Sequence, residues 1–182
     1  MQRLFVLIPV AACVALTATG PARAAQQRYY NYEPDSFAAR YRTQDVTLAI
    51  QPGLLSSRVV RLYRKRAAPF TLHAAGPGFD AAELKPVLPE DAASGSLSVY
   101  AVDDKEGAPF ARGSCKGAER AWIAMTPPRA YRDLTIYVLT RDPGTRGPRL
   151  CETLAYRWRA EWLLPEHSSI DPESRDGPAT PR

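Results

Sequence analysis

Apolar and polar side chains alternate with a two-residue period in six short runs of this 182-residue chain. Most of the runs end at turn-forming residues such as Pro-Gly, Gly-Pro-Gly, Asp-Asp or Pro-Pro. Successive side chains of a β-strand point to opposite faces, so this period predicts strands with one buried face. The runs begin at Val46, Phe70, Leu97, Ala121, Leu134 and Leu150. We therefore expect an all-β fold.

The last run, residues 150–164, is the longest and the most aromatic. Counted by twos from Leu150, one face carries seven apolar residues in eight positions. Helical spacing would also place four apolar residues on one stripe, so a helix is the alternative for this segment: Leu150, Leu154, Trp158 and Trp162. The alternation of tryptophan and tyrosine with arginine and glutamate favours one long strand, or two strands joined by a bend. Trp158 and Trp162 are then expected in the core.

Two segments predict helix rather than strand. Residues 36–41 fit one helical turn with Asp35 as its N-cap, and residues 80–85 fit a short helix capped by Asp80. Residues 54–66 fit either a helix or a strand. Two adjacent valines favour a strand there, because β-branched side chains pack well on a pleated surface.

Six or seven short strands with little helix are typical of a single small β-sandwich, which is the architecture expected for residues 25–165. A small β-barrel is the alternative. One or two short helical segments complete this expectation. Tyr29, Tyr30 and Tyr32 are expected to dock the start of the domain onto its body, because each ring is a large apolar surface. Residues 166–182 are polar and proline-rich, which predicts a disordered tail.

Residues 1–24 have the three parts of a cleavable signal peptide. Arg3 precedes an apolar run, and Ala22 and Ala24 supply the small side chains that signal peptidase needs before a cut at Ala25. The apolar run is shorter than the ~20 residues that span a bilayer. Nothing else in the sequence is long and apolar enough to cross a membrane, so no transmembrane segment is expected after cleavage.

Three cysteines are encoded, and each carries an expectation. The sequence Val-Ala-Ala-Cys ending at Cys13 allows an alternative in which Cys13 is lipidated and anchors the protein to a membrane. Otherwise Cys13 leaves with the signal peptide. The remaining pair, Cys115 and Cys151, predicts a disulfide in an oxidising compartment, with two unpaired thiols as the alternative. We therefore expect a periplasmic or secreted protein.

The chain offers few residues for catalysis. Only two histidines are present, His73 and His167, and no zinc-binding, nucleophile-elbow or phosphate-loop motif occurs. The acidic segment 103–107 has spacing unlike that of an EF-hand, and acidic residues are common at hairpin ends. We therefore expect no catalytic residue, metal site or cofactor.

Positive charge is the remaining candidate for function. Removal of the signal peptide leaves 22 basic and 19 acidic residues, a bias too small to predict a nucleic-acid partner. One segment, here called the basic run, concentrates five cations: Arg58, Arg61, Arg64, Lys65 and Arg66. It is a candidate for contact with an anionic envelope component or another protein. The alternative is an edge strand whose charges prevent pairing with other chains.

These observations favour an exported, non-enzymatic module that binds a partner or supports assembly of the cell envelope. The alternative is a hydrolase of an envelope polymer, with a carboxylate site that the sequence does not reveal. A concave pocket holding a carboxylate of raised pKa would favour the hydrolase, and a basic or aromatic surface would favour the binding module.

Overall fold

A computed structural model describes residues 26–53, 57–75, 79, 81–93, 95–141 and 147–163. The expected signal peptide and the expected disordered tail lie outside these residues. The bounds of the elements are β1 Arg28–Pro34, α1 Phe37–Arg42, β2 Val46–Gln51, β3 Arg58–Arg64, β4 Ala67–Ala74, α2 Ala81–Leu84, α3 Glu90–Ala93, β5 Ser98–Val102, α4 Ala108–Ser114, β6 Trp122–Met125, β7 Leu134–Thr140 and β8 Arg149–Leu163.

The eight strands form one closed antiparallel barrel. Each strand pairs with the next along the chain, and β8 pairs with β1. The all-β prediction is confirmed. The expected sandwich is wrong and the barrel alternative holds, because a single sheet whose last strand pairs with its first has no second sheet to pack against. The segment 54–66, which fitted a helix or a strand, contains strand β3.

Strand β8 closes the barrel because it is long enough to pair with two neighbours in turn. Its first half pairs with β7 and its second half with β1. Tyr156 stands opposite both Leu134 and Pro34, at the point where the partner changes. The long-strand prediction is therefore confirmed. The tyrosine-rich opening segment, expected only to dock onto the domain, is the strand β1 that completes the barrel.

The barrel interior is filled by alternate side chains from the strands. The largest fully buried side chains in the interior are Tyr32, Tyr156, Phe70, Leu48, Leu62, Ile123, Met125, Leu134, Ile136, Leu154 and Val46. Trp158 is partly buried against this core, with its ring 5.2 Å from that of Tyr30.

The core position predicted for Trp162 is wrong. Its residue is 41% exposed and pairs with Tyr29 rather than continuing the inward alternation of Trp158. A β-bulge explains the difference. Tyr32 pairs with Trp158 but Asn31 pairs with Ala160, so one extra residue in β8 reverses the faces beyond it.

Two helices close one end of the barrel, here called the helix-capped end. Helix α1 connects β1 to β2, and α4 connects β5 to β6, so antiparallel order places both at the same end. Ala39 of α1 and Phe110 and Ala111 of α4 belong to the barrel core. The N-cap of α1 is Ser36 rather than the expected Asp35, because the Ser36 hydroxyl accepts the N–H of Ala39.

A second apolar cluster lies on the outer face of the barrel. Leu84, Leu88 and Ala92, from the segment that contains α2 and α3, cluster with Tyr137 and Leu139. The helix predicted over residues 80–85 is confirmed as α2, while its expected cap Asp80 lies outside the described residues. The described part contains four short helices where one or two were expected.

Candidate functional site

The predicted disulfide joins Cys115 to Cys151, with their Cα atoms 5.2 Å apart. Cys115 is the C-cap residue of α4, and Cys151 lies near the start of β8. The bridge therefore fastens the helix-capped end to the strand that closes the barrel.

The basic run does not form one cationic surface. Arg58 donates two hydrogen bonds to the side chain of Gln51, whereas Arg61 lies 3.7 Å from the carboxylate of Glu106. Arg64 turns to the barrel end, where its guanidinium lies over the Phe70 ring at 5.1 Å. Strand β3 carries one extra residue at Val60, so Arg58 and Arg61 stand opposite Gln51 and Ala49 on the outer face of the barrel. Arg64 instead stands opposite the inward-facing Val46, which separates it from the other two arginines.

The edge-strand interpretation of the basic run is wrong, because β3 pairs with β2 on one side and β4 on the other. Arg64 has a structural role instead. Its guanidinium donates to the carbonyl of Ala68, lies 5.7 Å from the Phe110 ring centroid, and has its pKa lowered by burial. This arginine packs the β3–β4 turn against helix α4.

Helix α1 presents two exposed aromatic rings at the helix-capped end. Phe37 and Tyr41 are 83% and 73% exposed and stack nearly parallel, with ring centroids 6.4 Å apart. Residues four apart share one face of a helix, which explains the pairing. The Arg42 guanidinium lies 5.3 Å from the centroid of the Tyr41 ring. This side of α1 therefore combines apolar and cationic groups in contact with solvent.

Apart from Lys105, which lines the cleft described below, four exposed cations at the same end have no acidic partner in the described part. They are Arg40, Arg66, Arg112 and Lys116. We call these four together with Phe37 and Tyr41 the docking surface.

Side-chain and backbone contacts connect the elements of the docking surface. Arg42 of α1 pairs with Glu152, which follows Cys151, and that cysteine is bonded to Cys115, which precedes Lys116. The β3–β4 turn meets the connection after α1, where the Lys65 N–H donates to the carbonyl of Asp45. Helix α1, this turn and helix α4 therefore form one continuous end of the molecule.

The acidic residues at this end are mostly neutralised. Asp45 lies within 3.5 Å of Lys65 and 3.3 Å of Arg159, and Glu152 lies 3.1 Å from Arg42. Glu119 is the exposed acid of the α4–β6 connection that has no cation beside it in the described part. The docking surface therefore keeps a positive excess, which attracts anionic partners.

A cleft of about 580 Å³ lies beside this end on the outer face of the barrel. The lining residues with charged, polar or aromatic side chains are His73, Asp103, Asp104, Lys105, Arg120 and Trp122. Strand register brings them together, since His73 stands opposite Ala101 and Ala101 stands opposite Trp122.

The carboxylates of this cleft are held in place. The Asp103 carboxylate accepts the backbone N–H groups of Lys105 at 2.8 Å and Glu106 at 3.0 Å. The Glu106 bond, followed by that of Lys105, lowers the Asp103 pKa. His73 Nε2 lies 3.7 Å from Asp103 Oδ2, and Arg120 pairs with Asp104 at 2.6 Å. A lowered carboxyl pKa is the opposite of what a general acid needs, so Asp103 is suited to accept hydrogen bonds.

The acidic segment 103–107, whose spacing is unlike that of an EF-hand, uses its carboxylates for contacts within the protein. Asp103 bonds the backbone, Asp104 pairs with Arg120, and Glu106 accepts from the Thr71 backbone and hydroxyl. Across the described residues, no cluster of three or more His, Cys, Asp or Glu side chains could hold a metal ion. None of the helices described here is long and apolar enough to cross a bilayer.

No family model, curated protein or solved structure matches this chain. The assignment of function therefore depends on the geometry of the docking surface and the cleft.

Part of this site has a signal in the sequence. The spacing of Phe37 and Tyr41 on a predicted helical turn already indicates a shared face. The cleft had no comparable signal, because its residues are spread from 73 to 122 and only the pairing of β4, β5 and β6 brings them together.

Proposed function

We propose that this protein is an exported, disulfide-bonded binding module that attaches to an anionic component of the cell envelope through its docking surface. The observation that carries this proposal is the exposed stack of Phe37 on Tyr41 at the barrel end that also holds four unneutralised cations. Aromatic and basic side chains together favour the interface between water and an anionic membrane.

Electrostatics and the aromatic rings contribute in different ways. Each basic residue near an anionic lipid surface adds about 1 kcal/mol of attraction, which salt screens within a Debye length of about 8–10 Å. Apolar rings entering the interface add a contribution that depends little on salt. Binding through the docking surface should therefore weaken in high salt but retain an aromatic component.

Export is part of the proposal and rests on two supports. The sequence of residues 1–24 has the order of a signal peptide, and Cys115 is bonded to Cys151, as is usual in oxidising compartments. We propose a periplasmic or secreted location on this basis. The hydrolase alternative gains no support from the cleft, where the Asp103 pKa is lowered rather than raised.

The test is co-sedimentation of the mature protein with vesicles of phosphatidylglycerol mixed into phosphatidylcholine, compared with phosphatidylcholine alone. A four-glutamine variant of Arg40, Arg66, Arg112 and Lys116 should bind the anionic vesicles at least about tenfold more weakly. The matched control removes four cations elsewhere, namely Arg58, Lys85, Arg129 and Arg132. An equal loss in both variants would show attraction by net charge alone and would reject the docking surface.

A double variant separates aromatic contact from charge. Phe37→Ser with Tyr41→Ser keeps every cation, and we expect the vesicle binding that persists in high salt to be lost. Both side chains are exposed, so the melting temperature should stay within a few degrees. If the protein bound a soluble anionic polymer and the serine variant bound it equally well, the partner would be recognised by charge alone. That result would contradict a role for the aromatic rings.

A further inference from the structure

The outer cleft is built around one small residue between two large ones. Ala101 stands between His73 and Trp122 across three neighbouring strands, and all three line the cleft. Because the alanine side chain ends at Cβ, the outer face is recessed at this position. The volume of about 580 Å³ is within the usual range of about 300–1,000 Å³ for small-molecule sites.

Trp122 provides a fixed apolar wall. Its ring packs against Phe79 with centroids 5.0 Å apart, and it belongs to the outer apolar cluster while remaining partly exposed. A ligand that covers this ring therefore meets an aromatic surface whose orientation is already set. Binding then requires little loss of side-chain entropy at this residue.

Hydrogen-bonding groups of both kinds surround the tryptophan. Asp104 Oδ1 accepts no hydrogen bond from the described residues, and Asp103 Oδ2 faces His73 Nε2 at 3.7 Å, while the opposite oxygen of each carboxylate is engaged. Lys105 has an exposed ammonium with no acidic partner in the described part, and Arg120 retains donors beyond its bond to Asp104. The site therefore offers both acceptors and donors that are held in position.

Charge in the cleft is close to balanced. Asp103 and Asp104 oppose Lys105 and Arg120, so neither a strong anion nor a strong cation is favoured as a whole ligand. A molecule with several hydroxyl groups, each able to donate and accept, and with an apolar C–H face for Trp122 satisfies all of these features. We propose that the outer cleft binds a neutral saccharide, independently of the docking surface.

The experiment is titration of the mature protein with maltotriose and with tri-N-acetylchitotriose, followed by calorimetry and by the indole N–H signals in two-dimensional NMR. We expect a dissociation constant of about 1 mM or tighter for at least one of them. The Trp122 indole signal, assigned from Trp122→Phe, should shift, and that of the remote Trp162 should not.

Surface variants keep the test independent of folding. Asp104→Asn and Lys105→Gln change exposed cleft residues and should each weaken saccharide binding at least about fivefold. Glu119→Gln and Arg129→Gln, which change exposed residues that do not line the cleft, should leave it unchanged. Absence of any binding at 10 mM, about tenfold above the expected constant, would overturn the proposal. Binding that is insensitive to both cleft variants would overturn it equally, whatever the result with vesicles.

Discussion

The hydroxyl oxygen of Thr43 lies 2.6 Å from the phenolic oxygen of Tyr156, and both residues are buried. Thr43 Oγ1 also donates to the carbonyl of Ala39 at 3.1 Å, which leaves the tyrosine as donor to the threonine. Tyr156 is the residue at which β8 changes partner from β7 to β1. This hydrogen bond therefore connects the end of α1 to the strand that closes the barrel.

Removing this hydrogen bond should destabilise the fold. In Tyr156→Phe the Thr43 hydroxyl keeps its bond to Ala39 but loses the phenolic donor, so we expect a loss of about 1–2 kcal/mol in the free energy of unfolding. Tyr32→Phe is the matched control, because the Tyr32 hydroxyl is buried with no hydrogen-bond partner in the described part. Urea unfolding should show that variant unchanged or more stable. Equal losses in the two variants would contradict this role for the bond.

Alkaline pH should unfold the protein through the same two phenols. Burial raises the pKa of both Tyr32 and Tyr156 above the ordinary value of 10.0. In the unfolded chain both phenols ionise near pH 10.0, whereas in the folded protein they stay protonated to higher pH. Their contribution to the free energy of unfolding is therefore complete below pH 10.0, and it is lost as the pH rises above that value. Urea unfolding between pH 8 and pH 11, with absorbance of tyrosinate as a second signal, measures this dependence. The double variant with phenylalanine at both positions should show a shallower fall.

Reduction of the Cys115–Cys151 bridge should lower stability by about 3–4 kcal/mol in the chain-entropy model, because the bond closes a loop with a sequence separation of 36. For a domain of this size the melting temperature should fall by about 10 °C. Calorimetry with and without reductant measures the change, and Cys115→Ser with Cys151→Ser should reproduce it. Two reactive thiols in the denatured, unreduced protein would contradict the bridge.

Gly107 should not tolerate a side chain. A Cβ there would overlap Val102 Cγ1 and lie 2.6 Å from the carbonyl oxygen of Asp103, at the start of α4. We expect Gly107→Ala to cost about 1–3 kcal/mol. Gly113, in the same helix, has nothing within 4 Å of the added Cβ, so Gly113→Ala should be neutral or stabilising. Chemical denaturation of the two variants side by side decides the point.

Processing tests the proposed export. We expect the mature protein to begin at Ala25, which intact mass and N-terminal sequencing of the exported form would show. A mature form that begins at Cys13 and carries a lipid would contradict this expectation. The lipid, rather than the docking surface, would then attach the protein to a membrane.

Local patterns in the sequence predicted the strands well. The alternation from Val46 and the aromatic run from Leu150 correspond to β2 and β8, because side chains must change face at every residue of a strand. The same logic failed at Trp162, where one bulged residue reverses the faces. A bulge depends on the partner strand, so the alternating pattern of β8 alone does not contain it.

The sequence by itself determined the all-β class, the long last strand and the cysteine pair that forms the bridge. The period of the apolar–polar alternation and the number of cysteines can both be read without knowing how the strands pair. Tertiary structure decided that the sheet closes into a barrel, since closure depends on Tyr156 meeting both β7 and β1. It also decided that the basic run separates, because Arg64 packs on Phe70 while Arg61 faces Glu106. Which charges gather on one surface depends on strand register, and register is fixed only when the whole barrel packs.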